Sequence, residues 1–314
     1  MAAMTYRHNM AFTSDIPSRV TITVSVDSDP KLQADTTTIN VACAVRCFGE
    51  VMPGAEMGFP ADRLFVTGRR SLACCFNYSH TFCKERGHDM SGKMIKFSAN
   101  GRTASGYLAM PSQPGPGLIL IQEWWGLVDH IRDLADRFAA EGFLVLAPDL
   151  FHGDMTRSPD QAGKLLMALN IAEAGKDIRG AARHLLGMHE AQPKKVGVLG
   201  FCMGGQLALF AGTEFPQEIS AAVDFYGIHP NVVISPEKLD VPVLAHFAKR
   251  DKSVPEAEAR ALVEKLKAAG KSIEAHFYDA DHAFFNDTRP EVHSPEAAKL
   301  AWTRSLTFLK TRLS

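Results

Sequence analysis

The chain has 314 residues, of which 46% are hydrophobic and 22% charged, and its formal net charge is -1. This composition is typical of a globular protein, and its longest strongly apolar stretches are strand-sized, so no membrane span is predicted. A near-neutral charge offers no general attraction for nucleic acid or an anionic membrane, and neither is an expected partner. The N-terminus lacks the basic start and apolar middle of a signal peptide, so we expect a cytoplasmic protein.

The six cysteines divide the chain into two unlike parts: five lie before residue 90, and Cys202 is alone in residues 90–314. We interpret residues 1–89, which show little periodicity beyond Val20–Val26, as a poorly ordered extension of the kind that an upstream start site would add. The alternative is a small zinc module with ligands from Cys43, Cys47, Cys74, Cys75, Cys83, His80 and His88. Their spacing does not reproduce the paired C-x2-C pattern of zinc sites, so no metal is predicted.

Residues 90–314 alternate short apolar runs with amphipathic stretches, and we expect them to form one domain. The predicted strands are Ile95–Ser98, Gly106–Met110, Gly117–Gln122, Phe143–Ala147, Val196–Leu199, Ala221–Phe225, Val241–Phe247 and Ile273–Tyr278. The predicted helices are Asp129–Glu141, Pro159–His189 with an interruption at Gly175, Gly204–Gly212, Glu256–Ala269 and Ser294–Leu313 with Ser294 as its cap. Apolar strands separated by helices indicate a mostly parallel sheet with helices on both faces. Such sheets collect their sites at the carboxyl ends of the strands.

Cys202 lies at one of these strand ends, in the sequence Gly200-Phe-Cys-Met-Gly-Gly205. The form G-x-nucleophile-x-G is typical of a sharp strand-to-helix turn, because a nucleophile in that turn needs small neighbours. The helix that follows directs backbone N–H groups toward the cysteine, which favours its thiolate. A buried structural cysteine in a glycine-rich turn is the alternative.

Asp251 and His282 follow the next-to-last and last predicted strands. The chain order nucleophile, acid, histidine is that of the α/β-hydrolases. Asp279 and Asp281 are closer to the histidine in sequence. We nevertheless predict Asp251 as the orienting acid, because that acid approaches the imidazole from another loop.

The loop after Gly117–Gln122 begins Glu123-Trp-Trp. In α/β-hydrolases this loop supplies one N–H of the oxyanion hole, and the residue after the nucleophile supplies the other, so we assign these roles to Trp124 and Met203. Glu123 itself is a carboxylate at a buried strand end beside the predicted site. Its non-functional interpretation is a solvated or salt-bridged residue with Arg132 as partner.

Together these residues resemble the dienelactone hydrolase family over residues 90–314. The resemblance rests on Gln122-Glu123, Ala147-Pro-Asp-Leu-Phe151, Gly200–Gly205, Asp251 with Pro255, and Asp281-His-Ala-Phe284. It implies an α/β-hydrolase fold, no cofactor, and a role in aromatic-compound degradation. It further implies hydrolysis of a small lactone or ester, through a triad of Cys202, His282 and Asp251 and a thioester intermediate.

The resemblance also implies that Glu123 contacts the resting cysteine and restrains the thiol until substrate arrives. Family members hold the substrate carboxylate with arginines, and at one of those positions this chain has Asn286. Near the other it has His152, so the substrate stays open. The candidate substrate contacts are Trp125, Phe151, Arg157, Phe284 and Arg289.

Two other functions are compatible with the same residues. One is a redox-sensing or non-catalytic hydrolase-like protein with Cys202 as sensor, although a sensor thiol needs no Asp–His pair. The other is a thioesterase or peptidase-like hydrolase of the same fold. The expected partner is a small-molecule ester or lactone, and the expected assembly is a monomer or small homo-oligomer.

Overall fold

A computed structural model describes residues 92–99, 101–229 and 231–314. The predictions for residues 1–89, both the extension and the zinc module, lie outside these residues. Within the described ranges, no group of three or more His, Cys, Asp or Glu side chains is placed to hold a metal ion. No helix in this part of the chain combines the length and apolar character that a membrane span requires.

Eight strands and six α-helices are present in the described part of the chain. The strands are β1 (Lys93–Ala99), β2 (Arg102–Ala109), β3 (Gly115–Ile121), β4 (Leu144–Pro148), β5 (Ala191–Phe201), β6 (Ala221–Phe225), β7 (Val243–Ala248) and β8 (Ile273–Tyr278). The helices are α1 (Asp129–Ala140), α2 (Pro159–Ala168), α3 (Ile171–Gly187), α4 (Met203–Glu214), α5 (Glu256–Ala268) and α6 (Pro295–Leu313), with a 3-10 turn at Pro236–Lys238.

The strands form one sheet in the order β1-β2-β4-β3-β5-β6-β7-β8. The pairs β1–β2 and β2–β4 are antiparallel, and every other pair is parallel. The prediction of a mostly parallel sheet is therefore confirmed. Because β5 to β8 are consecutive neighbours, their carboxyl ends lie side by side at one edge of the sheet.

The sheet is covered on both faces, and β3 shows why. Its side chains alternate between two hydrophobic clusters: Leu118 and Leu120 pack with α1 and α6, whereas Ile119 and Ile121 pack with α3 and α4. All four are 0% exposed. Since successive strand residues point to opposite faces, a continuously apolar strand requires a helix layer on each side.

The predicted interruption of the long helical region at Gly175 is wrong. The chain breaks between α2 and α3, and α3 begins after Asn170, whose Oδ1 accepts the N–H of Glu173 at 3.2 Å. Asn170 is thus a side-chain cap of the kind that starts a helix. Gly175 lies inside α3, where a Cβ would sit 2.8 Å from Cε1 of Phe210. Close packing of α3 against α4, rather than a helix end, accounts for this glycine.

Several strand bounds differ from the prediction by one to four residues, and two further differences have a physical reason. Ser294 does precede α6, but its hydroxyl makes no capping hydrogen bond. Its backbone N–H instead donates to the carbonyl of Phe284 at 3.0 Å, which ties the start of α6 to the loop after β8. Strand β5 is longer than the predicted Val196–Leu199, because its first residues are polar and carry no apolar signal.

Candidate active site

Cys202 occupies a strained turn between β5 and α4, with φ 55° and ψ -122°. Its N–H donates to the carbonyl of Phe225 at 2.9 Å, and its carbonyl accepts from the N–H of Gly205 at 2.9 Å. A Cβ at Gly200 would lie 1.9 Å from the carbonyl oxygen of Gly204. The turn therefore closes only around glycine, as the sequence pattern indicated. A non-glycine residue at positive φ is uncommon and is often found at a functional site.

Asp251 and His282 meet at the ends of β7 and β8. The Nδ1 atom of His282 lies 2.7 Å from Oδ2 of Asp251, whose side chain is 1% exposed. The other carboxylate oxygen accepts the N–H groups of Ser253 and Val254, each at 2.8 Å. Because its own loop holds one oxygen, the carboxylate presents the second to the imidazole in a fixed direction.

The two acids nearer to the histidine in sequence have a different partner. Both Asp279 and Asp281 pair with the guanidinium of Arg250. All three side chains are about half exposed or more. Their charges are therefore largely satisfied at the surface, and it is Asp251 that the fold brings to His282.

The charge state of His282 follows from its neighbours. Burial opposes the charged imidazole, but the hydrogen bond with Asp251 and the interaction with the Cys202 sulfur outweigh it and raise the pKa of His282 to about 10. The ring of Tyr226 packs edge-on against the imidazole, with centroids 5.1 Å apart. A cysteine reacts as its thiolate, so the charge of the neighbouring imidazole bears directly on what Cys202 can do.

Glu123 is buried at the end of β3, and neutral groups contact both of its oxygens. Oε2 accepts from Nδ2 of Asn286 at 3.1 Å, and the Tyr226 hydroxyl faces Oε1 at 3.5 Å. Burial raises the pKa of Glu123, although the charge of His282 and the hydrogen bond from Asn286 oppose that shift. The carboxyl group of Glu123 therefore takes up a proton more readily than that of an exposed glutamate.

Two expectations for Glu123 can be set beside these contacts. The salt-bridge interpretation is wrong, since Arg132 pairs with Asp129 at 3.2 Å. The contact with Cys202 that the family resemblance implies stays a prediction: the hydrogen bonds of Glu123 in the described part of the chain are those with Asn286 and Tyr226.

The two assigned oxyanion donors lie on adjoining backbone segments. Met203 is the first residue of α4, so its N–H has no intrahelical acceptor. Trp124 lies in the turn after β3, where the N–H of Gly126 donates to the carbonyl of Glu123 at 3.3 Å. A Cβ at Gly204 would lie 2.6 Å from the carbonyl oxygen of Gln122, which shows how closely the first turn of α4 approaches this loop.

A cavity of about 710 Å³ adjoins the site and contains three of the predicted substrate contacts. Trp125, Arg157 and Arg289 line it, and the guanidinium of Arg289 lies over the Trp125 ring at 5.6 Å. Asn286 also lines it and so connects the cavity to Glu123, whereas Cys202 and His282 do not. The volume is in the range of pockets that bind small organic molecules.

The other two predicted contacts are not among the residues that line this cavity. Phe284 is 0% exposed and packs against the rings of Tyr226 and Tyr278 in the core. Phe151 is 7% exposed and follows the end of β4. An aromatic residue after a strand is equally compatible with pocket and core, so sequence could not separate these two from Trp125.

Tyr226 is the residue of the site that the sequence analysis missed. It follows β6 at φ 46°, is 0% exposed, and contacts both Glu123 and His282. A signal was present, because the end of β6 was a strand end to which no role had been given. Its positive φ, however, is not visible in a sequence.

The chain is similar to known hydrolases. The model of the dienelactone hydrolase family matches residues 104–313. "Protein usf" of Aquifex pyrophilus is 36% identical over 230 residues, which are 71% of this chain and all of that protein. The "Putative carboxymethylenebutenolidase" of Aquifex aeolicus is 33% identical, over 71% of this chain and 99% of that protein. The crystal structure named "Putative Dienelactone Hydrolase" from Klebsiella pneumoniae is 29% identical, covers 69% of this chain and 97% of its own, and has a TM-score of 0.62.

Proposed function

This chain belongs to the dienelactone hydrolase family and is an ester-hydrolysing enzyme, and we propose that it cleaves a small lactone or enol ester through a triad of Cys202, His282 and Asp251. The observation that carries the proposal is the 2.7 Å contact between His282 and the buried Asp251. It lies beside a cysteine that the backbone holds at a strained helix start. A structural cysteine needs neither feature.

The reaction would proceed in two steps. The thiolate of Cys202 attacks the carbonyl carbon, and the resulting oxyanion accepts hydrogen bonds from the N–H groups of Met203 and Trp124. The carbon–oxygen bond then breaks, and the leaving alkoxide or enolate takes a proton from His282. In the second step His282 removes a proton from water, the hydroxide adds to the thioester, and the carbon–sulfur bond breaks to restore the thiolate.

We include Glu123 in the site as a group that restrains the thiol before substrate binds. The support is its burial near His282 and its two neutral partners, Asn286 and Tyr226; no salt bridge to it occurs among the residues that the structure describes. Arg157, Arg289 and Trp125 are the proposed contacts for the rest of the substrate, because they line the adjoining cavity.

The decisive measurement is hydrolysis of p-nitrophenyl acetate and of a dienelactone by the wild type and by Cys202→Ala. We expect kcat to fall by about 10³-fold or more in the variant, since the covalent step is lost. In His282→Ala, rapid quenching and peptide mass spectrometry should detect an acyl group on Cys202. Equal rates for wild type and Cys202→Ala would remove the triad from consideration.

We also propose a cytoplasmic location and a monomer or small homo-oligomer. The support for the location is chemical, because a nucleophilic thiol persists best in a reducing compartment. Cell fractionation and light scattering of the purified full chain test the two statements separately.

A further inference from the structure

A buried acid lies directly beneath the nucleophile turn. Asp224 in β6 is 0% exposed and pairs in register with Gly200 of β5. Its Oδ1 accepts the N–H of Gly227 at 2.8 Å, and its Oδ2 has no hydrogen-bond partner among the described residues. No cation is bonded to it in this part of the chain. Such a residue is costly in a core and calls for an explanation.

Two glycines show how closely the surrounding backbone fits this side chain. A Cβ at Gly205, in the first turn of α4, would lie 2.0 Å from Oδ1 of Asp224. A Cβ at Gly227 would lie 2.6 Å from the same atom and 2.5 Å from the carbonyl oxygen of Cys202. The carboxyl group is therefore enclosed between the segment after β6 and the segment that carries the nucleophile.

Asp224 packs against the first turn of α4, and Gln206 joins the same two segments by hydrogen bonds. Its Nε2 donates to the carbonyl of Val232 at 2.6 Å, and its Oε1 accepts the N–H of His229. Like Asp224, Gln206 is buried, at 6% exposure. Gln206 thus bonds the first turn of α4 to the chain that follows β6, and Asp224 fills the space between them while it accepts the N–H of Gly227, which an apolar side chain would leave unpaired.

Burial favours the neutral form of this carboxyl group. It raises the pKa of Asp224 well above its ordinary range, and the hydrogen bond from the N–H of Gly227 opposes that shift. A neutral acid places no negative charge under the helix start, where such a charge would oppose formation of the Cys202 thiolate.

We propose that Asp224 is a positioning residue that holds the first turn of α4 at the height and angle at which Cys202 and the N–H of Met203 act together. The inference rests on the proposed function, since it concerns the geometry of that reaction. Asp224 touches neither substrate nor the reacting atoms; it acts through Gly227 and the backbone of α4. A displacement of the helix start by a fraction of an ångström would weaken the oxyanion contacts and leave substrate binding largely unchanged.

The test compares two near-isosteric substitutions. Asp224→Asn keeps an oxygen that accepts from the N–H of Gly227, whereas Asp224→Val fills the volume and suits a strand but accepts nothing. Asp177→Ala is the control. Asp177 is a similarly buried acid, but it lies in α3 and bonds Arg102 rather than the segment after β6. The readouts are kcat and KM for p-nitrophenyl acetate well below the melting temperature of each full-length variant, and the iodoacetamide rate of Cys202 by peptide mass spectrometry.

For Asp224→Val we expect kcat to fall by about 10- to 100-fold with KM within about 2-fold, and the alkylation rate of Cys202 to change with it. Asp224→Asn should keep kcat within about 3-fold, and the Asp177 control should lose stability without losing kcat. The inference is overturned if folded Asp224→Val has the kcat of the wild type, or if the two substitutions lower kcat equally.

If Asp224→Val does not fold, the test rests on Asp224→Asn. A 10-fold loss of its kcat at an unchanged melting temperature then overturns the inference. Failure of the proposed function is seen separately, as a wild type no more active than Cys202→Ala.

Discussion

A partly buried histidine and a fully buried one lie at neighbouring strands of the sheet, and their pKa values are shifted in opposite directions. His282, after β8, faces the carboxylate of Asp251, and its pKa rises to about 10. His246, inside β7, faces the hydroxyls of Tyr278 at 2.8 Å and Ser305 at 3.0 Å. Burial lowers its pKa well below the ordinary value, and nearby positive groups add to that effect. Burial opposes the charged form of both rings, so the carboxylate partner of His282 accounts for the opposite direction of its shift.

The hydrogen-bond directions around His246 indicate a structural role. The Tyr278 hydroxyl accepts from Arg304 at 3.0 Å, so its own proton is available to Nδ1 of His246. The remaining N–H, on Nε2, then donates to Ser305. His246 thereby ties β7 to β8 and α6 as a neutral group, while His282 is placed to exchange protons.

The largest effect is expected from Asp251→Asn. This substitution gives His282 a neutral partner, like those of His246, and so removes the difference between the two histidines. The pKa of His282 should fall and its tautomer should no longer be fixed, so we expect kcat to drop by about 10²- to 10⁴-fold. Hydrolysis of an aryl ester between pH 5 and pH 10 measures both changes. Asp279→Asn is the matched control, because that acid pairs with Arg250 at the surface. If both variants keep wild-type turnover, Asp251 is not the orienting acid.

A smaller effect is expected from Glu123→Gln, which removes the charge of a buried acid near His282 while keeping the size of the side chain. Loss of any negative charge there should favour the thiolate, so we expect iodoacetamide to modify Cys202 about 3- to 10-fold faster in the absence of substrate. Peptide mass spectrometry isolates this cysteine from the other five. Should alkylation and turnover both match the wild type, Glu123 has a purely structural role.

The opposite pKa shifts also predict the pH dependence of stability. The contribution of His282, whose pKa is raised, is complete below about pH 6.5 and is lost as the pH rises through about 10. The contribution of His246, whose pKa is lowered, is complete above about pH 6.5 and is lost as the pH falls. The free energy of unfolding should therefore be largest near neutral pH.

Urea unfolding at pH 5, 7 and 9 tests this dependence in wild type and two variants. His246→Gln should reduce the dependence of the free energy of unfolding on pH below about pH 6.5. The reason is that unfolding then no longer exposes a histidine that takes up a proton. Asp251→Asn should reduce the dependence of the free energy of unfolding on pH between pH 7 and pH 9. If that free energy changes equally between pH 5 and pH 7 in wild type and His246→Gln, the role given to His246 is contradicted.

The smallest effect is expected from Ser305→Ala, which removes one partner of His246 and leaves the other. We expect a loss of about 1–2 kcal/mol, since the Nε2 N–H of a buried imidazole is then unpaired. The substitution should leave kcat unchanged at temperatures where the protein is folded. Thr303→Ala, at an exposed site of the same helix, is the control for α6 itself.

Most of the sheet was predictable because its strands are short, apolar and separated by helices. Ala221–Phe225 and Ile273–Tyr278 have the same bounds in prediction and structure. The errors occur where packing overrides local pattern. Gly175 was predicted to interrupt a helix. In the structure it lies inside the helix, at a position where Phe210 leaves no room for a larger side chain. The polar start of β5 gave no apolar signal, although Ala191 pairs with Gly115 of β3 before the regular pairing resumes at Val196.

The candidate site was predictable where its residues follow the carboxyl end of a strand that the sequence itself predicts. Cys202, Asp251 and His282 could be proposed from their order and positions, since parallel strands place their carboxyl ends at one edge. The partners of Glu123 could not, because Asn286 and Tyr226 lie 163 and 103 residues away in the chain. Sequence offered only Arg132, nine positions on, and that pairing is wrong.

The sequence by itself determined the strand-to-helix turn around Cys202, the apolar strands and the family. These depend on local sterics and periodicity, which a short stretch of chain carries within itself. Only the tertiary structure decided that His246 is neutral while His282 is charged, that Asp224 lies under the nucleophile turn, and that Phe284 belongs to the core. Those properties depend on which groups meet inside a low-dielectric core, and only the folded chain brings such distant groups together.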